Sequence, residues 1–303
     1  MHDLYQHASL LIGSASEYQP PMCMGFGCNA AGVISCRIID SPRERLIAII
    51  TNNFVPCNGR FPTLIALSTI FIAGAAGSFG DVAAALSILT AIVLGISVTL
   101  LISRVLSRTI LKGIPSSFAL ELSPYRKPQV GKVIIRSIFD RTLFVLGRAL
   151  AVAAPAGLVI WFMSNVMIGD SSLLARCSQF LDPFGKLLGL DGTILMAFIL
   201  GLPANEIVIP ILIMNYTARS SILELESLEA MKQLFVDNGW TWLTAVCMML
   251  FSLNHWPCAT TLWTIGKETG SFKWTLVSFL VPAITGVIIC LIVAQGARLL
   301  GLG

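Results

Sequence analysis

The sequence predicts an all-α, polytopic membrane protein built from two repeated units whose helices are interrupted. Three observations lead there. Hydrophobic residues are 55% of the 303 and charged residues only 12%, with a mean hydropathy of +0.82. A soluble domain carries about 25% charged residues, so this chain cannot cover a water-facing surface. Apolar stretches near the length of a bilayer span, about 20 residues, recur along the chain. Finally, two short patterns that break helices occur twice in the same order. "GFGCN" at 25–29 and "GLPAN" at 201–205 both read G-x-x-x-N, and each is followed downstream by a Pro-Cys pair, Pro56-Cys57 and Pro257-Cys258.

In chain order, residues 1–20 match neither unit; with Asp3 and no basic n-region they do not read as a signal peptide. The first unit is expected over 21–110. Its opening stretch, 21–39, is apolar but loosened by glycines. Its second, 46–73, carries Pro56, Gly59 and Pro62 close together with Asn52, Asn53 and Arg60. Proline removes a backbone donor and clashes with the preceding turn, and irregular backbone at membrane depth survives only inside protein or beside a watery cavity. The spacing therefore predicts a discontinuous helix. Continuous apolar runs follow at 83–103, 142–168, 192–216, 240–263 and 274–297, the last four within a second unit over 142–303.

Between the units lies a basic connection, 111–141. Over 104–141, Arg104, Arg108, Lys112, Arg126, Lys127, Lys132, Arg136 and Arg141 face only Glu121 and Asp140, which makes this side cytoplasmic. Counting spans puts Arg37, Arg43 and Arg45 inside as well. The 169–191 loop falls outside with Asp170, Asp182 and Asp191, while Lys267 and Lys273 land outside against the rule. The net charge of +4 is thus a matter of orientation in a lipid bilayer, and no nucleic-acid partner is expected. Residues 219–238 read as an amphipathic interfacial helix: Ser221 and Glu224 form a capping-box pattern, apolar residues repeat at helical spacing, and Asn238-Gly239 ends it.

The polar atoms at membrane depth carry the chemistry. Glu206 is the only charged residue from 192 to 216, and an intramembrane carboxylate is by default a functional group; the alternative is a packing pair with Arg60. His255 lies three residues before Cys258, so the two share a face if that turn is helical. Thiolates suit softer transition metals, and Cys28, Cys57 and Cys258, with Glu206, fit a divalent first-row metal better than sodium or a sugar. A closed structural zinc site would show C-x2-C or H-x3-H spacing; neither is present, so ligands scattered over broken segments read as a transit site. Cys36, Cys177 and Cys290 read as small apolar fillers. Competing readings are a carrier of nucleosides or another solute using Asn29 and Asn205, a membrane redox enzyme (which would want C-x-x-C), and a non-transporting assembly module.

At these motifs the chain resembles the membrane part of the bacterial ferrous iron transport protein B (FeoB) family. The likeness is carried by "MGFGCNAAGVISCRIIDSPRERLIAIITNNFVPCNGRFPTL", "FALELSPYRKPQ", "FVLGRALAVAAPAGLVIW", "GKLLGLDGTILMAFILGLPANEIVIPIL" and "HWPCATTLWTI", from about Met22 to the end. It implies two Gate-type repeats and an Fe(II) pathway through the bacterial cytoplasmic membrane, with Cys28, Cys57, Cys258 and Glu206 on it. Fe(II) is then the transported ion, with no bound cofactor and no enzymatic activity expected on this chain. The family also has a GTP-binding domain, and no G-x-x-x-x-G-K-[ST] phosphate loop occurs here. That partner is expected from a separate chain or a missing N-terminal part, and a homo-oligomer is left open.

The topology has a direct test in intact cells. A membrane-impermeant thiol reagent should label Ser172→Cys and miss Ser116→Cys; the opposite pattern inverts the orientation.

Overall fold

The computed structural model describes residues 21–74, 77–111, 130–136, 139, 143–169, 171–217 and 228–301. Residues 1–20, most of the basic connection and the Ser221–Glu224 capping pattern lie outside the described residues. The rest is almost wholly helical. Among the described residues, the only strands are a two-residue antiparallel pair, Met167–Ile168 with Ser171–Ser172.

The first set of helices begins with α1 (21–27). It stops at Cys28, whose backbone is extended (φ −155°, ψ 124°), and α2 (Asn29–Ser35) restarts at once. Ser41 then caps α3 (Pro42–Thr51) by accepting from Glu44 N at 3.4 Å, with Pro42 in the first turn. Proline is favoured there because its missing N–H has no helical partner anyway. α3 ends in a tight turn at Asn52–Phe54, and the chain runs extended through Pro56 and Cys57 (φ −82°, ψ 166°) into a turn at Asn58–Arg60. From there α4 (Phe61–Leu67) continues into a wide π-helical stretch, Ser68–Ala73. The set closes with α5 (Gly80–Arg108).

After α6 (Val130–Arg136) and α7 (Phe144–Asn165), a second set repeats the plan. α8 (Leu173–Leu187) and α9 (Gly192–Leu200) meet at a bend of 112°. Asp191 makes the corner: it caps α9 by accepting from Ile194 N at 2.5 Å and also accepts from Tyr216 Oη, which in turn accepts from Trp240 Nε1 at 2.8 Å. α9 ends at Gly201, Ala204 is extended (φ −151°, ψ 126°), and a turn at Asn205–Ile207 leads into α10 (Val208–Tyr216). α11 (Leu228–Asp237) is the described part of the amphipathic helix and ends before Gly239 at φ 84°. α12 (Trp242–Asn254) then breaks at His255–Cys258, α13 (Ala259–Thr269) ends at a left-handed Gly270, and α14 (Phe272–Leu299) closes the set.

Among the described residues two helices, α5 and α14, are long and apolar enough to cross a membrane, or up to four spans if each strongly bent pair counts as one. Each closes its own set. On α5 the buried face is small (Ala84, Ala91, Gly95, Thr99), which permits close backbone approach, whereas Val82, Leu86, Leu89 and Val93 stand outward at helical spacing. The expected spans at 192–216 and 240–263 are helices broken in the middle. The central core packs α4, α9, α10 and α12 through Leu64, Leu67, Leu195, Phe198, Leu212, Met248 and Phe251.

The α8–α9 corner leaves no room for a side chain. A Cβ on Gly192 would stand 1.9 Å from Ser178 O and 2.6 Å from Asp182 N, whereas one on Gly157 would meet nothing within 4 Å. Gly192→Ala should therefore lower the melting temperature of the full-length protein in detergent, an overpacking cost of about 1–3 kcal/mol. Gly157→Ala should leave it unchanged or slightly raised.

Candidate transport site

The two sets break at matching places. In the glycine-type breaks, Cys28 and Ala204 have nearly the same extended backbone, and helix resumes at Asn29 and Asn205. In the Pro-Cys breaks, Cys57 and Cys258 are both extended immediately before a new helical turn. The sequence repeats thus have the same local geometry. Proline drives the second kind: it cannot continue the hydrogen-bond ladder, and it pushes the residue before it out of the helical region.

The breaks then pair across the sets. α2, which starts after Cys28, packs on α13, which starts after Cys258; the Asn58–Arg60 turn after Cys57 packs on the Asn205–Ile207 turn. Arg37 and Glu268 tie the far ends of α2 and α13 with two bonds of 2.7 and 2.6 Å. At the other pairing, Asn205 Nδ2 donates to Cys57 Sγ at 3.8 Å, and Asn205 Oδ1 stands 3.2 Å from His255 Nε2. His255 Nδ1 donates to Ser252 O at 2.8 Å, which fixes the ring. The Cys258 thiol lies 3.2 Å from Thr261 Oγ1.

The expected site residues fall into two groups by exposure. Cys28 and Glu206 are exposed; Cys57, Asn29, Asn205 and His255 are buried, and Cys258 is partly so. Glu206 lies over Gly59: a Cβ there would come 2.9 Å from its Oε1. It does not pair with Arg60. Among the described residues the ion pairs are Arg37–Glu268, Lys186–Asp182 and Lys232–Glu229. His255 and Cys258 do not share a helical face, because α12 ends at Asn254 and His255 is itself extended (ψ 175°). Among the described residues no three His, Cys, Asp or Glu side chains come together as a metal cage. Cys36 and Cys290 are buried, bonded to the carbonyls of Gly32 and Cys247 at 3.3 and 3.4 Å.

Comparison with known proteins places this architecture. A family model described as "Nucleoside recognition" (Gate) matches residues 146–272, and one described as "Ferrous iron transport protein B C terminus" matches residues 88–140. An "Fe(2+) transporter FeoB" of Staphylococcus aureus is 30% identical over 285 residues, 91% of this chain. The chain corresponds to the C-terminal membrane part of the FeoB family. A FeoB of Methanocaldococcus jannaschii is 25% identical over 92% of the chain. A protein of Porphyromonas gingivalis named as an Fe(2+) transport protein A/FeoB fusion is 25% identical over 86%. The chain spans 40%, 41% and 35% of the length of these three relatives. No solved structure matches it.

Residues that the sequence mentioned without a role prove central. Asn52 Nδ2 donates to Asn29 O at 3.0 Å, which ties the two breaks of the first set together. Asn53 Nδ2 donates to Ser278 O at 3.5 Å, the carbonyl that Pro282, four residues on in α14, cannot satisfy. The signal was present: a proline inside an apolar helix frees the i−4 carbonyl, and some donor must meet it.

The Gly59–Glu206 contact yields a test that removes no functional group. Gly59→Ala should push the Glu206 carboxylate aside at unchanged membrane insertion and, on the iron reading proposed below, lower Fe(II) uptake by the full-length protein about tenfold, the effect of a misplaced group rather than a missing one.

Proposed function

We propose that the protein to which this chain belongs moves ferrous iron across the bacterial cytoplasmic membrane along a pathway between the two repeated units, 21–110 and 142–303. The observation that carries this reading is the crossed pairing of the breaks, which packs the helix after Cys28 on the helix after Cys258 and the turn after Cys57 on the turn after Ala204. A helix broken at depth is how transporters present polar groups to a solute, and thiols among those groups favour a soft divalent ion over sodium or magnesium.

The pairing is chemically asymmetric, and the asymmetry suits transit. On one side exposed Cys28 and partly buried Cys258 precede the packed helices α2 and α13. On the other, the position equivalent to Cys28 is Ala204, and the Glu206 carboxylate lies over Gly59, two residues after Cys57. Each side thus has an outer, accessible ligand and an inner, more buried thiol. An ion can pass from a carboxylate–thiol pair to a thiol–thiol pair without ever meeting a closed set, and conduction requires sites weak enough to leave. Ferrous iron is the substrate here, and the release of a proton from each thiol that binds it accompanies the transfer. The energy source in this reading is a GTP-binding domain in the rest of the protein or on a partner chain. The fusion named for one relative supports a partner of the Fe(2+) transport protein A type.

The nucleoside reading draws support from the description of the Gate model. It needs free hydrogen-bonding side chains, yet the buried Asn205 amide already donates to Cys57 Sγ and lies against the His255 ring. Nucleoside uptake should be absent in cells expressing the full-length protein.

Substitution tests the iron reading. Cys28→Ser, Cys57→Ser or Cys258→Ser should each cut Fe(II) uptake by the full-length protein at least tenfold, as losing a metal ligand or its support does. Cys36→Ser and Cys290→Ser should not. Glu206→Gln should abolish uptake while the protein still reaches the membrane. Full uptake in the first three variants overturns the thiol pathway. No uptake by the parent with its GTP-binding partner supplied favours an assembly role.

A further inference from the structure

Arg60 is wholly buried, at 0% exposure, yet it is in none of the ion pairs among the described residues. Removing a guanidinium from water is costly unless its N–H groups are met. Here Nη1 donates to Asn53 O and to Leu253 O, both at 2.8 Å, and Nη2 donates to His255 O at 3.3 Å. Asn53 ends the helical run of α3, and Leu253 and His255 lie at the end of α12. Carbonyls at helix C-termini have lost their intrahelical donors and carry the negative end of the helix dipole. One cation therefore satisfies two broken helix ends from opposite sets. The arrangement needs the planar fork of arginine, whose donors point in several directions; an ammonium on the same stem is a point charge with a different reach.

These contacts sit next to the thiols. Arg60 N donates to Cys57 O at 2.9 Å, so the clamp begins one turn from Cys57. Its acceptors Leu253 and His255 immediately precede Pro257-Cys258.

We propose that Arg60 is a positioning residue, a buried clamp that bolts the Pro-Cys break of the first unit to that of the second and holds Cys57 and Cys258 in register across the interface. It rests on the reading that these two cysteines share one pathway. Glu206 remains free for the solute because the Arg60 guanidinium is held by backbone carbonyls and not by that carboxylate.

The test is a cross-link, not a transport assay. The full-length protein with native cysteines, in membranes, is treated with a short bifunctional thiol reagent, and the Cys57–Cys258 product is measured by peptide mapping. Arg60→Gln should lower its yield about tenfold, the shift expected from losing one charged hydrogen bond of this kind, and Arg60→Lys should fall between the two. Cys36 and Cys290 should stay as protected from alkylation as in the parent, because the clamp is local. An unchanged cross-link in Arg60→Gln overturns the proposal. So does parallel exposure of Cys36 and Cys290, which would make Arg60 a general folding residue. If Arg60→Gln fails to insert, Arg60→Lys decides: parental yield overturns the clamp and reduced yield with Cys36 and Cys290 protected supports it. A parent that gives no Cys57–Cys258 product overturns the register at its root. Failure of the iron reading itself would appear separately, as normal Fe(II) uptake by Cys57→Ser with the cross-link intact in the parent.

Discussion

A helix interrupted inside an apolar protein exposes backbone donors and acceptors that lipid cannot satisfy, and the structure is organised around meeting them. Arg60 meets three such carbonyls at once, Asn53 meets the carbonyl freed by Pro282, and Asn52 ties the end of α3 to the start of α2 through Asn29 O. These partners cross from break to break, or from a break to α14. The breaks cannot be satisfied within their own helices, so the two sets of helices must stay together. The same requirement places the thiols, because each cysteine is the last extended residue before a helix restarts.

Not every polar atom at the breaks is met by protein. Among the described residues the buried side-chain atoms without a partner are Asn52 Oδ1, Asn53 Oδ1, Arg60 Nε, Asn254 Oδ1 and Ser278 Oγ. All belong to the Pro-Cys breaks or to the stretch of α14 beside them. Asn53 and Asn254 occupy equivalent positions, three residues before Pro56 and Pro257, and each donates back to a carbonyl of its own helix while its oxygen is left over. Orphaned acceptors are rare in folded interiors and concentrate where function demands them. Their symmetric occurrence marks the seam between the units as the polar part of an otherwise apolar molecule.

The sequence made the breaks legible because their causes are local. Glycine loosening, a proline without its N–H and an asparagine that can bond backbone all act within a few residues, and the G-x-x-x-N and Pro-Cys patterns fall on the interruptions. Their partnership was less legible. A pairing of Arg60 with Glu206 is natural when each is the sole charge in its segment, but the guanidinium reaches neutral carbonyls instead, and nothing in the spacing reveals carbonyls as acceptors. The shared face expected for His255 and Cys258 required a helical turn, and Pro257 ended α12 before it could form. What sequence reasoning cannot supply is which break lies against which, since that depends on how α2 packs on α13 and how the turn after Cys57 meets the turn after Ala204.

That crossed packing explains why a duplicated unit need not give a symmetric site. Each glycine-type break faces the Pro-Cys break of the other set, so a change at one residue alters one face only. At the position of Cys28 the second set has Ala204, and at that of Ala30 it has Glu206. The scaffold tolerates this because the break is held by backbone geometry and by Asn29 and Asn205, not by the side chain that varies. On the proposed pathway one face therefore presents two thiols and the other a thiol and a carboxylate. A hard, hydrated divalent ion is met most readily by the carboxylate, and a partly dehydrated soft one by the thiols. On the iron reading proposed above, two chemically unlike faces on one frame would give the pathway a direction of increasing softness that two identical faces could not.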